Sequence, residues 1–183
     1  MASSVAWRNR WLLGIDRLDL EHCELIELFN RVVEADPDPG RTAGTTTPTP
    51  INHRVETEQL ARLEVLIEAL RRHFRAEEEF LSSIGYPNYP EHMSEHALHL
   101  AELVDLLRRL KIGQEKDQLQ RIDDEDLMFM RNWLVNHIAE EQRVARYYFE
   151  QLGVGATGDD RGVRYSALPR SGASAAEPPS DLP

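Results

Sequence analysis

The chain has 183 residues, with 21 Lys+Arg against 32 Asp+Glu, 7 His, 1 Cys and a formal charge of −11. A hydrophobic fraction of 41% in a chain of this size fits one ordinary globular domain, and the acidic balance excludes the basic face that nucleic acid needs. One cysteine can form neither an internal disulfide nor a Cys-based zinc site, no apolar run reaches the roughly 18 residues of a membrane span, and the N-terminus lacks a signal-peptide stretch, so a cytoplasmic protein is expected.

Four segments carry helical periodicity. The first places Ile15, Leu18, His22, Leu25, Phe29 and Val32 at spacings of three and four. Residues 36–52 follow as an exposed insertion, because their DPDPGRTAGTTTPTP run breaks helix and offers no large apolar side chain to bury. The second stripe is Leu63, Leu66, Leu70, His73, Glu77, Phe80 and Ile84, and it ends at Gly85-Tyr86-Pro87. The third is His92, His96, His99, Leu103, Leu106 and Leu110, closed near Gly113. The fourth opens on the acidic run Asp123 to Asp126, which complements a helix dipole, and continues as Leu127, Met130, Leu134, His137, Glu141, Val144 and Tyr148. Residues 153–183 are rich in Gly, Pro, Ser and Ala and are expected to be a disordered tail behind a domain spanning 1–152. Four such stripes joined by short breaks predict an all-α fold, an antiparallel up-down four-helix bundle.

The exceptions to apolarity on these stripes are mostly His and Glu. Residues at i and i+4 share one helix face, so His73 with Glu77, His92 with His96, and His137 with Glu141 can each approach one point in the core. Imidazoles and carboxylates are costly to bury unless they satisfy one another, and several of them together do so best around a metal. A lone histidine would more often be a hydrogen-bonded or surface residue. Five interior histidines spread over four helices reverse that balance, and their number points to a first-row transition metal rather than calcium or magnesium. His53 lies about 30 Å from His73 along a continuous helix and is excluded from the cluster. Cys23 reads as a small packing residue, and Glu78 and Glu79 read as facing water.

Several spaced motifs resemble the hemerythrin family, and specifically its bacterial members. They are WLLGIDRLDLEHCEL (11–25), HFRAEE from His73, GYPNYPEHMSEH (85–96) and WLVNHI (133–138), in the family's order. The resemblance implies a non-heme di-iron centre with an oxo or hydroxo bridge, and reversible binding of dioxygen for transport, storage or delivery. By position it implies that His92, His96 and His137 hold one iron, His22 and His73 the other, and Glu77 bridges the two. It places Phe74, Trp133 and Leu134 as the apolar wall of the dioxygen pocket.

The chain departs from that pattern twice. The family's last bridging carboxylate, an Asp five residues after the helix-four histidine, is here Gln142, while Glu141 stands one residue earlier on the inward stripe. Either could complete the site. His99 stands where an aromatic residue is common, and it reads as a marginal core residue, an extra ligand or a proton donor beside the dioxygen pocket. These departures keep two alternatives open: a di-iron oxidase, peroxidase or nitric-oxide-handling enzyme, and an oxygen or iron sensor.

Overall fold

The computed structural model describes residues 4–34, 50–116, 118, 121–159 and 162–167, and the side chains of these other than 50–55, 154–159 and 162–167. Helix α1 spans Asp16–Val33, α2 Pro50–Ser83, α3 Tyr89–Glu115, α4 Asp124–Glu140 and α5 Gln142–Gln151, preceded by a 3₁₀ turn at Asn9–Trp11. The expected bundle is observed: α1 packs along α2 and α2 along α3, while α4 closes against α1. The fourth stripe is not one continuous helix, because a turn at Glu141 separates α4 from α5. Residues 50–52, assigned above to the insertion, already belong to α2, since the fixed backbone of Pro50 suits a first helical position. The rest of the insertion and the His53 side chain lie outside the described residues.

Local chemistry explains where the helices start and stop. Asp123 caps α4, accepting a hydrogen bond from the Asp126 amide at 2.8 Å. Gly85, with φ of 64°, ends α2 in the left-handed conformation, and the Tyr86 amide reaches back to the Leu81 carbonyl. Helix α1 has no side-chain cap at Ile15. It is tied down by Asp19, whose buried carboxylate accepts from the amides of Leu13 (2.7 Å) and Gly14 (2.9 Å) and so holds the N-terminal segment against the bundle. Asp19→Ala is expected to cost about 2 kcal/mol, read as a lower urea midpoint at unchanged m, because the Leu13 amide, in a buried bond, and the Gly14 amide, in a partly buried one, lose a charged acceptor.

The core falls into two apolar parts. The larger contains Leu25, Phe29, Leu63, Leu70, Leu103 and Ile138 among others. The smaller gathers Leu13, Leu18 and Ala145, with Ile15 and Phe80 against it. Between Leu18 and Leu25, Leu70 and Phe80, and Ile138 and Ala145 lie His22, His73 with Glu77, and Glu141. A buried polar layer therefore crosses an otherwise apolar bundle.

Within residues 153–183, expected to be disordered, two antiparallel strands occur instead. They are β1 (Val154–Asp159) and β2 (Gly162–Ala167), in register from Val154↔Ala167 to Asp159↔Gly162. Val163 and Tyr165 supply a period-two alternation that the Gly and Ser content of the stretch masks. Residues 160–161 and 168–183 lie outside the described residues. Among the described residues no helix is long and apolar enough to cross a membrane.

Candidate metal centre

Helices α1 to α4 each contribute to the polar layer through i, i+4 spacing or a single inward residue. Helix α1 supplies His22, α2 His73 and Glu77, α3 His92 and His96, and α4 His137, with Glu141 at the α4–α5 turn. Their donor atoms converge in two groups: His22, His73, His137 and Glu141, and Glu77, His92, His96 and His137, each with all its atoms within 4.8 Å of one another. His137 belongs to both. Glu77 and Glu141 are 0% exposed.

Glu141 sits at the centre of the first group. Its carboxylate oxygens lie 2.7 Å from His137 Nε2, 3.0 Å from His22 Nε2 and 3.6 Å from His73 Nε2. Glu77 reaches across to the second, 2.9 Å from His92 Nε2 and 3.3 Å from His96 Nε2, and stands 3.7 Å from both His73 and His137. Gln142 is not brought in. One residue further along a helix is a rotation of about 100°, and its amide instead donates to the Leu12 carbonyl at 3.2 Å. Gln142 thus fastens α5 to the N-terminal segment.

Two acidic residues support the histidines from outside. Glu21 Oε2 lies 3.0 Å from His73 Nδ1 while its other oxygen accepts from Arg17. Glu78 Oε1 lies 3.1 Å from His96 Nδ1. Glu78 therefore departs from the expectation that it faces water; Glu79 meets it. The imidazole contact was not visible in the sequence because it crosses between helices α2 and α3. Each carboxylate fixes an Nδ1–H tautomer and turns Nε2 toward the cluster. Glu21→Ala or Glu78→Ala is expected to weaken metal affinity about 10- to 100-fold in chelator competition, with the fold intact by circular dichroism. Wild-type affinity in both variants would remove that role.

The charge balance is unusual for a bundle interior. Burial opposes a charge on His73, but its contacts with Glu141 and Glu21 and the charge on Glu77 outweigh that and raise its pKa to about 10. Burial lowers the pKa of His137 despite the same Glu141, and the charge of neighbouring His73 adds to the effect. The pair is 3.2 Å apart between Nε2 atoms, so one proton serves both, and His73 keeps it. Burial and the charge on Glu141 push the Glu77 carboxyl up, yet His92, His96 and His137 hold it at about 2.

Aromatic side chains border the cluster. Phe74 stacks on the His96 ring with centroids 3.9 Å apart and 7° between planes, and it meets Trp133 edge-on at 5.5 Å. Leu134 is buried beside them in the larger core. His99 is not among the converging donors. Trp133 stands between it and His137, and burial, with the charges of His137 and His96, lowers its pKa to about 3. It is therefore neutral near pH 7 and a poor proton donor.

The donors fit a metal. Both Glu77 oxygens, Glu141 Oε2, His92 Nε2 and His96 Nε2 are fully buried and lack hydrogen-bonding geometry to any described partner, although they lie close together. Lone pairs that converge without hydrogen bonds are satisfied by cations. Five imidazoles with two carboxylates suit a transition ion.

Comparison with known proteins agrees with this arrangement. The family model described as the hemerythrin HHE cation binding domain matches residues 13–145. The bacteriohemerythrin of Clostridium acetobutylicum is 25% identical over 142 residues, covering 75% of this chain and 95% of that protein. The bacteriohemerythrin of Stenotrophomonas maltophilia is 24% identical over 134 residues, covering 73% and 74%. The myohemerythrin of Riftia pachyptila is 24% identical over 136 residues, covering 74% and 86%. Two crystal structures of hemerythrin point variants share the fold with TM-scores of 0.59 and 0.58 at 19% identity, covering 79% of this chain and 95% of theirs.

Proposed function

The chain belongs to the hemerythrin family, and from that premise we propose that it holds two non-heme iron ions and binds dioxygen reversibly, for transport, storage or delivery. The observation that carries the reading is the pair of donor groups sharing His137. His92, His96 and His137 would hold one iron, His22 and His73 the other, with Glu77 and Glu141 between them and an oxo or hydroxo bridge completing the pair. Bound there, two irons supply the two electrons that dioxygen takes up and returns. Phe74, Leu134 and Trp133 keep water from the centre, which slows irreversible loss of electrons. His73 and His96 are held in place by Glu21 and Glu78. The single cysteine fits a cytoplasmic setting.

The departures that favoured an oxidase or peroxidase weigh less once placed. Glu141 offers a buried carboxylate where Gln142 offers none, and neutral His99 is screened by Trp133. The test is to reduce the iron-loaded protein anaerobically, admit dioxygen and record the visible spectrum. A charge-transfer band that appears and disappears with oxygen pressure is expected. Continuous oxygen consumption or rapid bleaching would instead establish the enzymatic alternative, and zinc without iron on elemental analysis would overturn both.

A further inference from the structure

Three parallel rings stack between helices α3 and α4 and end on a histidine of the metal cluster. Trp133 on α4 lies 3.6 Å from the ring of His99 on α3, with 7° between planes, and 4.7 Å from the ring of His137, with 11° between planes. Rings stacked this closely overlap their π faces and leave no gap across the path. A cleft of about 310 Å³ borders the stack along its length: His99, Trp133 and His137 all line it, together with Glu95, Glu102 and Glu140. His99 is 3% exposed, and its Nδ1 has no hydrogen-bond partner among the described residues, so a buried polar atom borders this cleft.

The cleft continues into a larger groove between α3 and α4, of about 630 Å³, through the shared residues Leu98, Glu102 and Phe129. Leu98 is 69% exposed and Phe129 41%, and Asp123, Glu125 and Asp126 edge the groove. Arg109 is the one Lys or Arg among the lining residues of both cavities, and it is occupied by Asp105 and Asp126, each at 3.5 Å. Exposed leucines are ordinary, and so are solvated acids. Apolar residues inside an acidic rim, above a ring stack that ends on a cluster histidine, are a different combination: they match the core and rim of a protein interface and attract a partner of opposite charge.

We propose that this α3–α4 face docks a redox protein bearing a lysine-rich patch, and that the His99–Trp133–His137 stack carries its electron to the metal centre. The inference rests on the di-iron reading above. Each encounter moves one electron and no atoms: the donor's cofactor is oxidised by one unit and one ferric ion becomes ferrous. Two encounters restore a fully oxidised centre to the form that takes up dioxygen.

Zinc-substituted cytochrome c, a lysine-rich protein that becomes a strong one-electron donor when photoexcited, is a suitable probe. With the iron-loaded, oxidised full chain under argon, calorimetry reads association and triplet decay reads electron transfer. Association is expected at about 10 mM salt and lost by about 300 mM. Glu95→Gln, Glu102→Gln and Glu140→Gln together are expected to weaken it about tenfold, whereas the same charge change at Glu27, Glu34 and Glu68 leaves it near wild type. Trp133→Leu is expected to slow transfer within the complex several-fold at unchanged association, rates being compared per iron bound, and Trp133→Phe to recover part of the rate. Should Trp133→Leu lose iron, His99→Leu tests the same stack. Equal weakening by both sets of acids, or wild-type transfer rates in Trp133→Leu and His99→Leu, would overturn the proposal. Failure to find two irons per chain would sink the di-iron reading instead, and the association measurements would still decide for or against this face.

Discussion

Glu141→Ala is expected to reduce the iron content from two per chain to one or none, and Gln142→Ala to leave it unchanged. The Glu141 carboxylate lies within 3.0 Å of His22 on α1 and His137 on α4, so its removal opens the first donor group at its centre. The loss should exceed the roughly 10- to 100-fold cost of deleting a supporting carboxylate such as Glu21. The Gln142 amide bonds the Leu12 carbonyl, and its substitution should show as a small decrease in stability with a normal visible spectrum. Elemental analysis and the iron-loaded spectrum read both results. A Glu141→Ala protein with two irons and an unaltered spectrum would exclude Glu141 as a ligand.

Removing the metal with a chelator is expected to leave a protein most stable near pH 6.5, with stability falling on both sides; below it, His99 (folded pKa about 3) resists the proton that the unfolded chain takes up from pH 6.5 downward. The acid side follows also from Glu77. Its folded pKa of about 2 lies below the ordinary 4.5, so its contribution is present above pH 4.5 and is lost as pH falls toward 2. The alkaline side follows from His73. Its folded pKa of about 10 lies above the ordinary 6.5, so its contribution is complete below pH 6.5 and is lost as pH rises toward 10. Iron must displace the His73 proton, so apparent affinity should rise about tenfold per pH unit for that proton across the same alkaline window. Melting curves of chelated and iron-loaded protein from pH 3 to 10 test this. The alkaline decline should be present in the chelated protein and absent in the loaded one; an alkaline limb common to both would place its origin outside the cluster.

Most of the bundle was legible because its helices bury one face each, and a buried face prints its period on the sequence. The stripe from Leu63 to Ile84 and the stripe from Leu127 to Tyr148 both occupy the expected positions. The polar interruptions were legible for the same reason: a His or Glu on an apolar stripe has no ordinary packing role. The turn at Glu141 was not, because a helix that bends for one residue keeps nearly the same spacing on both sides. The strand pair 154–159 and 162–167 was hidden by composition, since Gly and Ser lower strand propensity without preventing backbone pairing.

By itself the sequence determined that four amphipathic helices would assemble, that His22, His73, Glu77, His92, His96 and His137 would turn inward, and that the last bridging position was in doubt between Glu141 and Gln142. The first two follow from periodicity, which is a property of one helix, and the third from the resemblance to the family's motif. Only the tertiary structure decided that Glu141 rather than Gln142 enters the cluster, that Glu21 and Glu78 brace histidines on neighbouring helices, and that His99 meets Trp133 rather than the donors. Each of these depends on the rotation of one helix relative to another. A change of one residue turns a side chain by about 100°, and no spacing within a single helix records that angle.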